Sequence, residues 1–196
     1  MVIKMISFPI KKTTTKLNQP KNIKKANLGM FLEEMINDTN EYYLNQQIAV
    51  IHKKPTPIQI VKVNYPSRCE AVITEAYYKT PSTTDYNGIY KGKYIDFEAK
   101  ETNVATSFSL NNIHPHQVKH LEDIVKCGGI GFLLVYFKKL DEVYLLPFEV
   151  LKEYWDKKEI ERKSIPYDTF KERAFLVKIS YMPRLDYLKV LDENYY

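Results

Sequence analysis

The stretch Ile-Gly-Phe-Leu-Leu-Val-Tyr-Phe, at residues 130–137, is almost continuously apolar. It is too short to span a bilayer, and Gly128 and Gly129 mark a break just before it. A short apolar run of this kind is typical of a strand that is covered on both faces of a sheet. The chain therefore needs layers packed on both sides of that sheet, which predicts an α/β fold.

Hydrophobic periodicity predicts the elements that surround this strand. Apolar residues at helical spacing predict helices over residues 29–47, 115–126 and 148–155. Strand-like patterns predict further strands at residues 48–52, 58–65, 71–78, 88–92, 94–100 and 143–147, and the strand at 88–92 is expected to end in a turn. The segment Asp85-Tyr-Asn-Gly88 has the composition of a turn. This order of elements predicts a mixed central sheet with helices on both sides.

The run Tyr94-Ile-Asp-Phe-Glu-Ala-Lys100 alternates cleanly between apolar and polar residues. Because side chains alternate across a strand, Ile95, Phe97 and Ala99 share one face. The opposite face then carries Tyr94, Asp96, Glu98 and Lys100. The pattern predicts a strand whose polar face brings a carboxylate and an ammonium group side by side.

Asp85 precedes Glu98-Ala-Lys100 by twelve intervening residues, a D-x(12)-E-x-K spacing. Two carboxylates that converge there would bind a hard divalent cation such as Mg²⁺, which prefers oxygen ligands. A metal ion can activate water and neutralise charge at a scissile phosphate, and a nearby lysine adds positive charge there. By itself the spacing is also compatible with a surface hairpin decorated with charges.

The charge of the chain is unevenly distributed. Residues 1–27 contain seven lysines, Lys24 and Lys25 among them, and no acidic residue, whereas the remaining 22 basic residues are nearly balanced by 24 acidic ones. We interpret residues 1–27 as a flexible basic arm, which suits a polyanion such as DNA because lysines near phosphates release counterions. The alternative is a tail that only improves solubility.

Other sequence features bound the location and the chemistry. No apolar run is long enough to cross a membrane, and no cleavage site follows the N-terminal residues, so we expect a cytoplasmic protein. Cys69 and Cys127 suggest neither a disulfide nor a zinc motif, and Cys127 is expected to be a structural thiol that is at least half-buried. The histidines at 114, 116 and 120 have no cysteine partner and are expected to contact phosphate or cap a helix.

The segment from Ser82 to Thr102 resembles, nearly residue for residue, the signature of the RecU family of Holliday junction resolvases. Shorter matches are Thr39–Tyr43, Ile51–Pro57, Gln59–Val61, His116-Gln117 and Pro183–Tyr187. The resemblance extends over roughly residues 27–190. One departure is Leu28, which stands where the family usually has an arginine, and a leucine cannot bind phosphate or a carboxylate.

The resemblance implies a restriction-endonuclease-like core, with a mixed central sheet flanked by helices and a protruding stalk at about residues 56–79. It implies a single nuclease domain over residues 28–196, a homodimer, and symmetric nicking of four-way and other branched DNA during recombination and repair. The implied metal ligands are Thr83, Asp85, Glu98 and Gln117, with Mg²⁺ as the metal and Mn²⁺ able to replace it. Lys100 would stabilise the transition state, and Glu33 would be an auxiliary acid. A recombinase and branch-migration proteins are possible partners, which would place the protein at the nucleoid.

The stalk carries the groups expected to contact the junction. Basic side chains would meet phosphates and tyrosine rings would stack on unpaired bases; the candidates are Lys62, Arg68, Tyr77 and Lys79. An ordinary β-hairpin with exposed tyrosines is the alternative. At the level of function, the rivals are an architectural junction binder with a decayed nuclease site, and a duplex endonuclease that needs no stalk.

Overall fold

A six-stranded mixed sheet forms the centre of the protein, in the order β1-β4-β5-β7-β8-β10. The structure, a computed structural model, describes residues 30–67, 70–79 and 83–196. The helices are α1 Met30–Asn45, α2 Pro115–Lys126, α3 Phe148–Lys157, α4 Tyr167–Arg173 and α5 Tyr187–Tyr195, with a 3-10 turn at Leu110–Asn112. The strands are β1 Val50–Lys53, β2 Ile58–Asn64, β3 Val72–Tyr78, β4 Tyr86–Tyr90, β5 Lys93–Thr102, β6 Ser107–Ser109, β7 Ile130–Phe137, β8 Glu142–Pro147, β9 Ser164–Pro166 and β10 Phe175–Val177.

Strand β7, which corresponds to the apolar run, is buried along its whole length. It pairs in parallel with β5, and α2 provides the crossover between them, while the other pairings of the sheet are antiparallel. Alternate side chains of β7 enter two cores on opposite faces. One core is completed by α1 and α5, and the other by α2, α3 and α4. The predicted mixed sheet flanked by helices is therefore confirmed.

The predicted turn at Asp85–Gly88 was wrong, because Tyr86, Asn87 and Gly88 belong to β4. Gly88 pairs with Ile51 of β1, and a Cβ atom at Gly88 would lie 2.1 Å from the carbonyl oxygen of Val50. The glycine therefore permits a close approach of two strands. The turn between β4 and β5 is made by Lys91 and Gly92, which both have positive φ angles, so the turn expected at the end of the strand at 88–92 is confirmed.

The bounds of two further elements agree with those predicted from periodicity, whereas one prediction of burial is wrong. Helix α2 and strand β7 begin and end at the predicted residues. The short elements after α3 were not predicted, because three- to nine-residue segments carry little periodic signal. Cys127 is exposed, contrary to expectation, because it ends α2 at the surface.

Strands β2 and β3 form a two-stranded sheet of their own rather than joining the central one. Its ladder runs from the pair Ile58 and Tyr78 to the pair Asn64 and Val72, with irregular register around Lys62. Nearly all of its side chains are exposed to solvent. The structure therefore shows a separate hairpin at the position of the predicted stalk.

None of the helices within the described ranges is long and apolar enough to cross a membrane. Residues 1–29, 68–69 and 80–82 lie outside those ranges, so the predictions for the basic arm, Lys24, Lys25, Leu28 and Arg68 are not addressed by the structure.

Candidate active site

The register of one hairpin brings Asp85 to Glu98. Strands β4 and β5 are antiparallel, with Tyr86 opposite Phe97 and Tyr90 opposite Lys93. Asp85, one residue before β4, therefore stands opposite Glu98, and its backbone N–H donates to Glu98 Oε2 at 3.1 Å. Residues that stand opposite each other in a ladder project to the same face. The twelve-residue spacing of the sequence motif is thus the length of this hairpin.

Glu98 is buried on the face of β5 that packs against α2, with only 1% of its surface exposed. Its Oε1 atom accepts from the ammonium group of Lys100 at 2.6 Å and from the side-chain amide of Gln117 at 2.5 Å. The predicted sharing of one strand face by Glu98 and Lys100 is therefore seen directly. Alternation along β5 and the position of Gln117 in the first turn of α2 create this arrangement.

Burial, together with the neighbouring Asp85 carboxyl, raises the pKa of the Glu98 carboxyl to about 8 even though Lys100 lowers it. The physical cause is the loss of hydration of a charged group together with repulsion between two acids. A divalent cation between these carboxyl groups would relieve both effects. The electrostatics of the site therefore fit a metal centre.

Gln117 has both ends of its amide engaged. Its Oε1 atom accepts from the backbone N–H of His114 at 2.9 Å, which caps the start of α2, while its Nε2 atom donates to Glu98. The family resemblance implied Gln117 as a metal ligand, a role that its amide oxygen would have to fill. In the structure that oxygen is committed to the helix cap, so ligation by Gln117 would require the amide to turn over.

A cleft of about 270 Å³ opens beside the two carboxylates. Its lining includes Thr83, Asp85, Gln117 and Glu33, the last paired with Lys53. The carboxylates of Glu33, Asp85 and Glu98 all act on the nearby Tyr86 hydroxyl, whose pKa they raise together with burial. Every predicted ligand, and the predicted auxiliary acid, therefore reaches the same site.

The donor set suits a hard cation. Thr83, Asp85, Glu98 and Gln117 offer hydroxyl, carboxylate and amide oxygens, which are the ligands that Mg²⁺ prefers. Within residues 30–67, 70–79 and 83–196, no group of three or more His, Cys, Asp or Glu side chains is arranged to hold a metal. A site built here therefore rests on two acids with neutral oxygen donors and water.

A second polar cluster, which was not predicted from the sequence, lies beside the carboxylates on the same face of β5. Its centre is Asp96, which is fully buried and contacts Lys54, Thr84 and His120. The signal that could have found it was the position of Asp96, which shares the strand face of Glu98 two residues away. His120 is thereby explained as a partner of Asp96 rather than as a metal ligand.

The predicted DNA contacts of the stalk are accessible. Lys62, Tyr77 and Lys79 are exposed, and 61% of the Tyr77 surface is open to solvent, with its hydroxyl donating to Glu75 at 2.8 Å. Tyr78, next to it, is 85% exposed.

Comparison with known proteins gives consistent matches. The family described as "Recombination protein U", RecU, matches residues 27–193. The Holliday junction resolvase RecU of Staphylococcus aureus (strain JH9) is 55% identical over 173 residues, which cover 88% of this chain and 83% of that protein. The Staphylococcus saprophyticus protein of the same name is 53% identical over 180 residues, which cover 91% and 86% of the two chains.

Among solved structures, Archaeoglobus fulgidus Hjc, a Holliday junction resolvase, aligns with a TM-score of 0.44 at 9% identity, covering 74% of this chain and 94% of that one. The family match spans the helix before the site, the β4–β5 hairpin and the C-terminal helix. The chain belongs to the RecU family.

Proposed function

We propose that this chain resolves Holliday junctions as a magnesium-dependent endodeoxyribonuclease, with its active site at Asp85, Glu98 and Lys100. The proposal draws on the family and on relatives that are named Holliday junction resolvases at 55% identity. The single observation that carries the site is the Asp85 carboxyl group opposite a buried Glu98 whose charge is compensated by Lys100. A junction binder without catalysis would have no need for a buried acid beside a second, half-buried one.

The metal ligands are proposed to be Asp85 and Glu98, joined by Thr83 and, after its amide turns over, Gln117. A divalent cation bound there supplies an activated water and neutralises the scissile phosphate. We propose Mg²⁺ as the ion, with Mn²⁺ able to replace it, because the donors are oxygens.

Lys100 contacts the Oε1 atom of Glu98, whereas the backbone N–H of Asp85 contacts its Oε2 atom. The side chain of Lys100 is only one-fifth exposed, and its ammonium nitrogen lies 2.6 Å from Glu98 Oε1. A fixed positive charge at this position stabilises negative charge that develops on the phosphate during attack. Glu33, which is held by Lys53 at the mouth of the cleft, is proposed to orient water as an auxiliary acid.

The stalk and the oligomeric state set the substrate. We propose that the β2–β3 hairpin enters the open centre of the junction, where Tyr77 stacks on bases and Lys62, Arg68 and Lys79 meet phosphates.

Two equivalent nicks on strands of like polarity require two active sites related by a twofold axis, so we propose a homodimer. Lys24 and Lys25 of the basic arm would add contacts to the DNA backbone. Action on chromosomal DNA would place the protein at the nucleoid. A recombinase and branch-migration proteins work there and are the proposed partners.

The decisive experiment compares cleavage of a mobile four-way junction with cleavage of linear duplex, in Mg²⁺ and in EDTA, on denaturing gels. The variants are Asp85→Ala and, as a matched control, Asp168→Ala, whose side chain is exposed on α4. We expect paired nicks in the junction alone, lost in EDTA and in Asp85→Ala but kept in Asp168→Ala. Light scattering of the unmodified protein should report a dimer.

Two results would contradict the proposal. Tight junction binding without cleavage, in Mg²⁺ or Mn²⁺, would instead support an architectural binder and would make Leu28 the first residue to restore to arginine. Equal cleavage of junction and duplex would support an ordinary duplex endonuclease.

A further inference from the structure

We infer that Asp96 is a positioning residue that fixes the three elements carrying the proposed metal ligands relative to one another. The inference rests on the metal site proposed above. It concerns a group that touches neither metal nor DNA, since Asp96 is fully buried beneath the cleft.

Asp96 is the centre of a dense set of polar contacts. Its Oδ2 atom accepts from Lys54 Nζ at 2.7 Å and from the Tyr94 hydroxyl at 3.1 Å, and it lies 3.1 Å from His120 Nε2. Its Oδ1 atom accepts from the Thr84 hydroxyl. Lys54 also donates to Thr84 at 3.0 Å, which closes the network.

Apart from Lys54, which follows β1, the contacts of Asp96 belong to elements that bear a proposed ligand. Asp96 is on β5 two residues before Glu98, so both side chains point to the same face. Thr84 lies between Thr83 and Asp85. His120 lies three residues after Gln117, on the same side of α2. One buried carboxylate therefore joins the strand, the loop and the helix.

Of these three elements, the loop at residues 83–85 depends most on the contacts of Asp96. Residues 83–85 precede β4, whose ladder with β5 begins at the pair Tyr86 and Phe97. Sheet pairing alone therefore does not hold Asp85. It is held by its N–H contact to Glu98 and by a hydrogen bond of 2.7 Å from the backbone N–H of Lys54 to its carbonyl oxygen. Asp96 contacts Thr84, which precedes Asp85 in the loop, and also Lys54, whose backbone N–H binds the Asp85 carbonyl oxygen. It therefore holds both segments that position Asp85.

Small displacements of such a loop are expected to matter greatly. A shift of about 1 Å in a reacting group can lower a rate by about 100-fold. Loss of the anchor should therefore weaken metal binding and cleavage while leaving DNA contacts on the stalk intact.

The test uses Thr84→Val, which removes the anchoring hydroxyl at nearly constant volume, and Thr84→Ser, which restores a hydroxyl. Thr169→Val is the matched control, because Thr169 is also buried and its hydroxyl is 2.8 Å from that of Tyr154, away from the site. Asp96→Asn tests the centre itself. The readouts are Mn²⁺ binding to DNA-free protein by calorimetry, junction affinity in EDTA, junction cleavage and the melting temperature.

We expect Thr84→Val to bind Mn²⁺ and to cleave about tenfold more weakly or worse. Its junction affinity in EDTA should be unchanged, Thr84→Ser should recover both properties, and Thr169→Val should match the unmodified protein in both. Asp96→Asn should show the same losses as Thr84→Val, or larger ones.

The inference is overturned if Thr84→Val binds Mn²⁺ and cleaves like the unmodified protein, if Thr84→Ser recovers neither property, or if Thr169→Val loses as much as Thr84→Val. A different result is expected if the proposed metal site itself is wrong. In that case the unmodified protein would bind no Mn²⁺, or Asp85→Ala would bind it equally well.

Discussion

The ammonium nitrogen of Lys100 lies 2.6 Å from Glu98 Oε1, on a strand face where a second carboxyl group, that of Asp85, stands opposite. The lysine therefore compensates a buried acid in the metal-free protein, and under the proposed function it would act on phosphate when the acids bind a cation. This double use follows from the two-residue spacing of the pair on β5.

Replacement of Lys100 by methionine should reduce junction cleavage by about 10²–10³-fold, the usual effect of removing one charge-stabilising donor. Methionine keeps much of the side-chain volume, so junction binding in EDTA should persist. Since Lys100 lowers the pKa of Glu98, its loss should also shift the pH dependence of Mn²⁺ binding to higher pH. Unchanged single-turnover cleavage in this variant would contradict the assigned role.

Glu98 should make the metal-free protein less stable as the pH rises. Its folded-state pKa of about 8 is above its ordinary value of 4.5, so the folded state binds more protons than the unfolded state between these values. The contribution of this group to stability is present below pH 4.5 and is lost as the pH approaches 8. Glu98→Gln, which cannot ionise, should melt at least roughly 3 °C above the unmodified protein at high pH in EDTA.

Melting curves of both proteins in EDTA, recorded from acid to mildly alkaline pH, measure the difference. It should shrink towards low pH, and saturating Mg²⁺ should stabilise only the unmodified protein. A difference that stays constant with pH would argue against ionisation of Glu98 as the cause.

Gly88→Ala should destabilise the protein by about 1–3 kcal/mol or more, because overpacking has a cost of this size. The new Cβ atom would lie 2.1 Å from Val50 O and 2.6 Å from Ile51 Cα, so β1 would have to move away from β4. Gly92→Asn is the matched control: Gly92 has a φ of 78° with open space around it, and asparagine tolerates this region. Urea denaturation of both variants checks this, and equal midpoints would be the contrary result.

Tyr77→Ala should reduce the preference for junctions over duplex DNA, since base stacking on an aromatic ring contributes about 1–3 kcal/mol. Tyr77→Phe keeps the ring and should retain the preference. Competition binding in EDTA, with labelled junction and unlabelled duplex, measures the ratio. An alanine variant with an unchanged ratio would leave the hairpin without the proposed stacking role at this residue.

Lys62→Ala should weaken junction binding and reduce the slope of log affinity against log salt concentration by about one, because one phosphate contact is lost. Lys171→Ala, which removes an exposed lysine from α4, is the control and should leave the slope unaltered. Titrations at several salt concentrations test both variants. A slope that does not change in Lys62→Ala would place that lysine away from the DNA.

Local sequence patterns were sufficient for elements whose residues interact with near neighbours. The bounds of α2 and β7 follow from helical spacing and from one apolar run, and Glu98 and Lys100 share a face because strand geometry alternates. The proposed catalytic set was inferred from the extended resemblance to one family rather than from spacing, which by itself also allowed a charged surface hairpin.

Contacts between distant segments were decided only by the tertiary structure. Gly88 has the composition of a turn residue, yet it is in a strand, because the close approach of β1 depends on a segment more than thirty residues earlier. Asp96 looked like one more polar residue of an alternating strand, but Lys54 and His120 enclose it from two other elements. The sequence determined which side chains were available and which face each one takes along its own element. Only packing of the sheet against α2 and the loop before β4 decided which of them are buried together, since burial and electrostatics depend on neighbours that no local pattern encodes.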